Sequence, residues 1–137
     1  MTSEKPILTG PLYGRIARIS RPKLNTLGLH EGVQILDGRV AHTSFGCNTK
    51  ICSFEEFASG HPVRLEHLVP HNLGIHSLNA LNAEIRRNAR YDLLNNNCEI
   101  FARRAVLQKA ESPQVGVWMA VLAIAGIWYA SGNKLSA

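Results

Sequence analysis

The sequence predicts one α+β domain followed by an apolar helix, and three observations lead to that expectation. Short strand-forming runs broken by turn residues fill the chain as far as Val69, with an Asp37-Gly38 turn between two apolar runs. Two segments with apolar residues at helical spacing come next, from Ser77 to Arg90 and from Cys98 onward. A dense apolar block then runs from Val115 to Ala130. A length of 137 residues suits one compact core rather than two. Residues 1–112 are therefore expected to form the domain, and 113–137 a hydrophobic tail.

The first elements are short, because Pro11, Gly14, Pro22 and Gly28 leave room only for brief strands around Leu12–Ile19. Leu29–Leu36 and Arg39–Thr43 flank the Asp37-Gly38 turn and predict a β-hairpin. Ser53 and Glu56 have the spacing of a capping box and Gly60 supplies a stop, so a short helix is expected over Phe54–Ser59. Pro62–Val69 reads as a further strand, and Pro70, Asn72 and Gly74 as a loop. Between Ser77 and Arg90, Leu78, Leu81 and Ile85 recur opposite Arg86, Arg87 and Arg90, which is the amphipathic helix pattern. Asn95-Asn96-Asn97 stands where a cap belongs. Cys98 then falls in the first turn of a helix that buries Phe101, Ala102 and Ala105 and exposes Arg103, Arg104 and Lys109.

The formal net charge of +5 draws the chain toward anionic partners, lipid or nucleic acid. The sequence has no Cys/His finger spacing, helix-turn-helix pattern or aromatic-rich sheet motif, so nucleic acid is not expected as a partner. Lipid contact or plain solubility accounts for Arg15, Arg18, Arg21 and Lys23. The three cysteines, Cys47, Cys52 and Cys98, make no disulfide framework, and Cys47 and Cys52 are expected to be structural thiols or loop residues. Met1–Leu12 lacks the apolar core of a signal peptide, which points to a reducing, cytoplasmic side. His61, His67, His71 and His76 crowd one stretch, but their spacing repeats no ligand motif. Surface histidines are expected there, with no metal and no other cofactor.

A thiol is a strong nucleophile only as thiolate, and the first turn of a helix stabilises that anion, so Cys98 is the candidate nucleophile. It needs an imidazole to take and return a proton. His30 and His42 bracket the Asp37-Gly38 turn, and parity decides whether they cooperate. A two-residue loop puts them on opposite faces. A three-residue loop ending in a left-handed Gly38 pairs Ile35 with Arg39 and sets Gly32 across from His42. His30 and His42 then become diagonal neighbours on one face, with Gly32 leaving room between them, while Val33, Ile35 and Ala41 point to the other. The three-residue loop is the expectation.

The run His30-Glu-Gly-Val-Gln-Ile-Leu-Asp-Gly-Arg-Val-Ala-His42 resembles the histidine hairpin of the lecithin:retinol acyltransferase-like (LRAT-like) family. Asn97-Cys98-Glu99-Ile100-Phe101 resembles that family's Asn-Cys-Glu-His-Phe signature, with Tyr91 at the expected distance upstream. The resemblance covers about residues 10–110. It implies a circularly permuted papain-like (NlpC-like) α+β fold, a small antiparallel sheet packed on helices. It further implies Cys98 as acyl-accepting nucleophile, His30 as general base and acid, and His42 as the group that orients His30. Tyr91 and Asn97 are candidates for oxyanion or substrate contact, and the Cys98 amide for the first oxyanion donor. Ile100 and Glu31 depart from the family pattern, which bears on the substrate pocket more than on the mechanism.

The implied function is a thiol-dependent hydrolase or acyltransferase of the phospholipase A kind, acting on phospholipid esters through a Cys98 thioester. One rival keeps the machinery and changes the substrate to a peptide, isopeptide or cell-wall bond. Another is an inactive, membrane-associated interaction module. Sixteen uncharged residues, Val115–Ala130, with Trp118, Trp128 and Tyr129 toward the ends, approach the length of a membrane span. Arg103, Arg104 and Lys109 before it against Lys134 after it predict a domain on the cytoplasmic side. The alternative is a buried core helix.

Overall fold

The computed structural model describes residues 3–25, 27–44, 48–88 and 97–134, with side chains as far as 131. Cys47, Arg90, Tyr91, Asn95 and Asn96, named above, lie outside the described residues. The elements in order are β1 (Ile7–Leu8), β2 (Ala17–Pro22), β3 (Leu29–Gln34), β4 (Val40–His42), β5 (Lys50–Cys52), α1 (Phe54–Ala58) and β6 (Val63–Leu68). A 3-10 turn (His71–Leu73), α2 (Gly74–Arg87), α3 (Cys98–Ala105) and α4 (Pro113–Lys134) follow. The strands form one antiparallel sheet in the order β1-β6-β2-β3-β4-β5, so the architecture is α+β with an apolar helix at its C-terminal end.

Apolar packing covers both faces of the sheet. On one, Ala17, Ile19, Val40 and Val63 pack with Phe54 and Phe57 of α1. On the other, Ile16, Val33, Ala41 and Val69 pack with Leu81 of α2 and Phe101, Ala102 and Ala105 of α3. Central strands enclosed this way lose the buried/exposed alternation of a one-sided sheet, and β3 is buried almost throughout. Such enclosure forces buried charges into pairs. Glu31 accordingly meets Nη1 of Arg18 with both oxygens at 2.9 Å. Burial pushes the Glu31 carboxyl up to about 7, against the opposing charge of Arg18. The departure at position 31 is therefore one half of an interior ion pair.

The hairpin has the register that parity predicts. Val33 pairs with Ala41 and Gln34 with Val40, Ile35 N donates to Arg39 O at 2.9 Å, and Gly38 sits at φ 88°. The capping box at Ser53 is formed in both directions, and the chain leaves α1 through left-handed Ser59. Two expectations are corrected and one alternative is set aside. The early strand runs over Ala17–Pro22 rather than Leu12–Ile19, because Leu12 N and O are held by the Gln34 side chain instead of a ladder. The α2 helix starts at Gly74, inside the expected loop, where the 3-10 turn leads directly into it. The tail is no core helix: from Gly116 to Ser131 every residue of α4 is exposed. Its stretch Pro113–Ser131 is long and apolar enough to cross a membrane, since nineteen helical residues extend about 28 Å.

Candidate active site

His30 and His42 reach the same face of the sheet because the register pairs Gln34 with Val40, even with even, and alternate residues of a strand share a face. Nε2 of His30 lies 2.9 Å from Nδ1 of His42, and the rings meet edge to face with centroids 5.0 Å apart. Phe57 backs both, at 5.5 Å from His30 and 5.6 Å from His42. Arg21, opposite His30 in the ladder, fixes that phenyl ring by stacking over it at 5.4 Å and donating from Nε to the Phe57 carbonyl.

Gly32 is the residue that lets these rings close up. A Cβ there would stand 2.8 Å from Val40 Cγ1 and 2.9 Å from Phe57 Cε2. Gly32→Ala is expected to lower stability by about 1–3 kcal/mol through overpacking, read as a fall in thermal midpoint. An unchanged midpoint would contradict the crowding.

Cys98 is the first residue of α3, whose start is capped by Asn97 Oδ1 accepting from Ile100 N at 2.9 Å. The helix head fills a gap in the sheet. Ile35 N bonds Arg39 O across the hairpin, so the backbone groups of β3's odd residues point toward β4. The ladder ends at Val33, leaving the groups of Leu29 and Glu31 without a strand partner. The Cys98 sulfur takes their place, donating to Leu29 O at 4.0 Å and accepting from the Glu31 amide. It therefore lies beside the backbone on either side of His30. Its hydrogen bonds go to those backbone groups; among the described residues none joins it to an imidazole. The imidazoles stand with Phe57 on one face of the sheet, whereas the body of α3 packs on the other.

All three groups are neutral at rest. Burial holds His30 down at about 3, helped by the charges of His42 and Arg21. Burial likewise holds His42 down at about 4, with Lys50 and Arg21 adding to it. The Cys98 thiol is pushed up by burial, against the Glu31 amide and the Lys23 charge. Both imidazoles are thus unprotonated while the thiol keeps its proton.

Cys52 joins the site although the sequence suggested only a structural thiol. Its sulfur lies 3.4 Å from His42 Nε2, brought there by the pairing of Cys52 with Val40. Two tautomer sets satisfy this chain of contacts, and one of them leaves a free ring nitrogen on His30 as a base. With Nδ1 of His30 left as base, Nε2–H donates to His42 Nδ1, and His42 Nε2–H then donates to the Cys52 sulfur. Cys52→Val is expected to slow turnover about fivefold, the worth of one lost hydrogen bond, and Cys52→Ser to restore most of it. Equal kcat in both variants would contradict the relay.

Among the described residues, two hollows flank the site. One, about 50 Å³, is lined by Lys23, Leu27, Asn97, Cys98, Gln114 and Trp118. The other, about 600 Å³ and open, lies beside Arg21, His42, Lys50, Cys52 and Glu55. Tyr91 falls outside the described residues. His61, His67, His71 and His76 are dispersed over a bend, β6, the 3-10 turn and α2, and no cluster of metal-ligating side chains is present among the described residues. Asn97 is buried and serves α3 as its cap. Comparison with known proteins adds no identity to this geometry: no family model, no curated protein and no solved structure matches the chain.

Proposed function

We propose that this chain is a membrane-held, thiol-dependent acyl-transfer enzyme whose domain is a circularly permuted papain-like fold of the LRAT-like family. The observation that carries the reading is the neutral His30–His42 pair, 2.9 Å apart, with His30 on the strand whose backbone holds the Cys98 sulfur. The motif resemblance and the chain order, histidine hairpin first and cysteine helix later, support the finer fold.

The reaction runs in two halves. Nδ1 of His30 takes the thiol proton as the Cys98 sulfur attacks the ester carbonyl carbon, and the Cys98 amide, in the first turn of α3, steadies the oxyanion. The carbon–oxygen bond to the leaving alcohol breaks, that alcohol takes the proton from His30, and a thioester remains. Water or an amine then gives a proton to His30 and attacks the thioester carbon. The carbon–sulfur bond breaks, and the proton returns to sulfur. Phospholipid esters are the proposed donors, supplied by the membrane at α4, with the domain on the cytoplasmic side.

A second reading rests on the Cys52–His42 contact of 3.4 Å, which would make Cys52 the acceptor in the larger hollow. Acid-quenched incubation with phosphatidylcholine vesicles, followed by peptide mass mapping, separates the two. One acyl chain on Cys98 supports the first reading, and one on Cys52 the second. Acylation of Cys98 by an activated peptide ester but not by phospholipid would move the substrate to peptides, and no acylation by either would overturn the enzyme.

A further inference from the structure

The apolar helix does more than follow the domain, because its first turn is built into the thiol site. Gln114 takes up the open edge of β3: its Oε1 accepts from Leu29 N at 2.8 Å and its Nε2 approaches Leu29 O at 3.4 Å. The same Leu29 carbonyl receives the Cys98 thiol. Gln114 Nε2 also donates to Glu99 Oε2 at 3.2 Å, and Ser112 Oγ donates to that oxygen at 2.7 Å, so α3 and β3 are both tied to the base of α4. The fit is close. A Cβ on Gly28 would stand 2.8 Å from Gln114 Oε1, and Gly28 at φ 103° has the backbone form that glycine adopts without strain.

The hollow at Cys98 is bounded by the first two turns of α4, through Gln114 and Trp118, and by the exposed Leu27. Its volume of about 50 Å³ admits an ester group, whereas pockets that enclose a whole drug-sized ligand run to roughly 300–1,000 Å³. An acyl chain therefore has to remain outside, along the apolar surface that, among the described residues, begins at the rim: α4 itself. From Val117 onward that surface includes Trp118, Val121, Leu122 and Ile124, all exposed, and a bilayer is the solvent that covers an all-round apolar helix of this length.

From this we infer that α4 holds the mouth of the Cys98 pocket against the bilayer, with Gln114 as the tie, so that the enzyme draws a bilayer-resident acyl ester whose chain stays in lipid. This rests on the acyl-transfer reading and narrows it, and its test reads position rather than turnover. Full-length chain carrying Cys47→Ser, Cys52→Ser and Cys98→Ser would receive one bimane label, through Leu27→Cys at the rim or through Leu36→Cys. Leu36 is exposed and lies beyond the other end of β3, about 20 Å away along the strand direction. In phosphatidylcholine nanodiscs doped with headgroup nitroxide lipid, quenching at position 27 is expected to exceed that at position 36 by at least about threefold. Adding Gln114→Leu is expected to bring the two toward equality while the chain stays in the disc. Equal quenching in the parent, stronger quenching at 36, or a chain that remains outside the discs would overturn the inference. Quenching unaffected by Gln114→Leu would overturn the assignment of the tie. Failure of acyl transfer by the unsubstituted chain in the same discs, with the quenching pattern intact, would sink the enzyme reading and leave the placement standing.

Discussion

Cys98→Ala is expected to abolish acyl transfer, with turnover falling by on the order of a thousandfold or more, as when a covalent nucleophile is removed. No thioester should accumulate at any pH. The loss should be chemical and not a failure to fold, because the thiol is small and Leu29 O keeps its contact with Gln114. The Glu31 amide does lose an acceptor, a cost of about 1 kcal/mol, so a modest drop in thermal midpoint is expected beside the lost activity. Thioester formation on phospholipid in the alanine variant would remove Cys98 from the mechanism.

His30→Gln is expected to be the next most damaging change. A glutamine amide still reaches His42, so the hairpin and its packing on Phe57 are retained, but no group is left to accept the thiol proton. General-base catalysis contributes typically about 10²–10⁴-fold, and kcat should fall within that range with the thermal midpoint nearly unchanged. His42→Gln should cost less, since in the proposed mechanism His42 acts through His30 and not on the sulfur. A His30→Gln enzyme within a few-fold of the parent, measured by single-turnover acylation, would show that another base serves Cys98.

Much of this arrangement is legible in the sequence where a local rule is strict. The Asp37-Gly38 turn and side-chain parity determine the hairpin register, and with it the meeting of His30 and His42. The Ser53/Glu56 pair fixes the head of α1. Asn97 before Cys98 fixes the head of α3, and that puts the sulfur at a helix start. Contacts between segments far apart in the chain are not written locally. β5 is three residues long and its register follows only from β4, so Cys52 read as an inert thiol. Gln114 lies 85 positions from Leu29, and no periodicity announces that a side chain will fill a strand edge. The buried Arg18–Glu31 pair hides for a related reason: on a sheet covered on both faces, charged residues no longer mark the exposed side.

The central claim is that a neutral imidazole, His30, takes the proton of a neutral thiol, Cys98, and the pH dependence of acylation tests it most directly. His30 is held at about 3 and the Cys98 thiol is pushed above its ordinary 9.0, so neither group changes protonation between pH 5 and 8. Rapid-quench measurement of Cys98 acylation by a phospholipid should give a rate constant that varies less than about threefold across that range, because general-base transfer needs no preformed thiolate. The His30→Gln enzyme should show a slower rate that climbs about tenfold per pH unit, the mark of thiolate supplied by solvent. A parent enzyme that itself climbs tenfold per unit would contradict the claim, since its sulfur would then be working without the histidine.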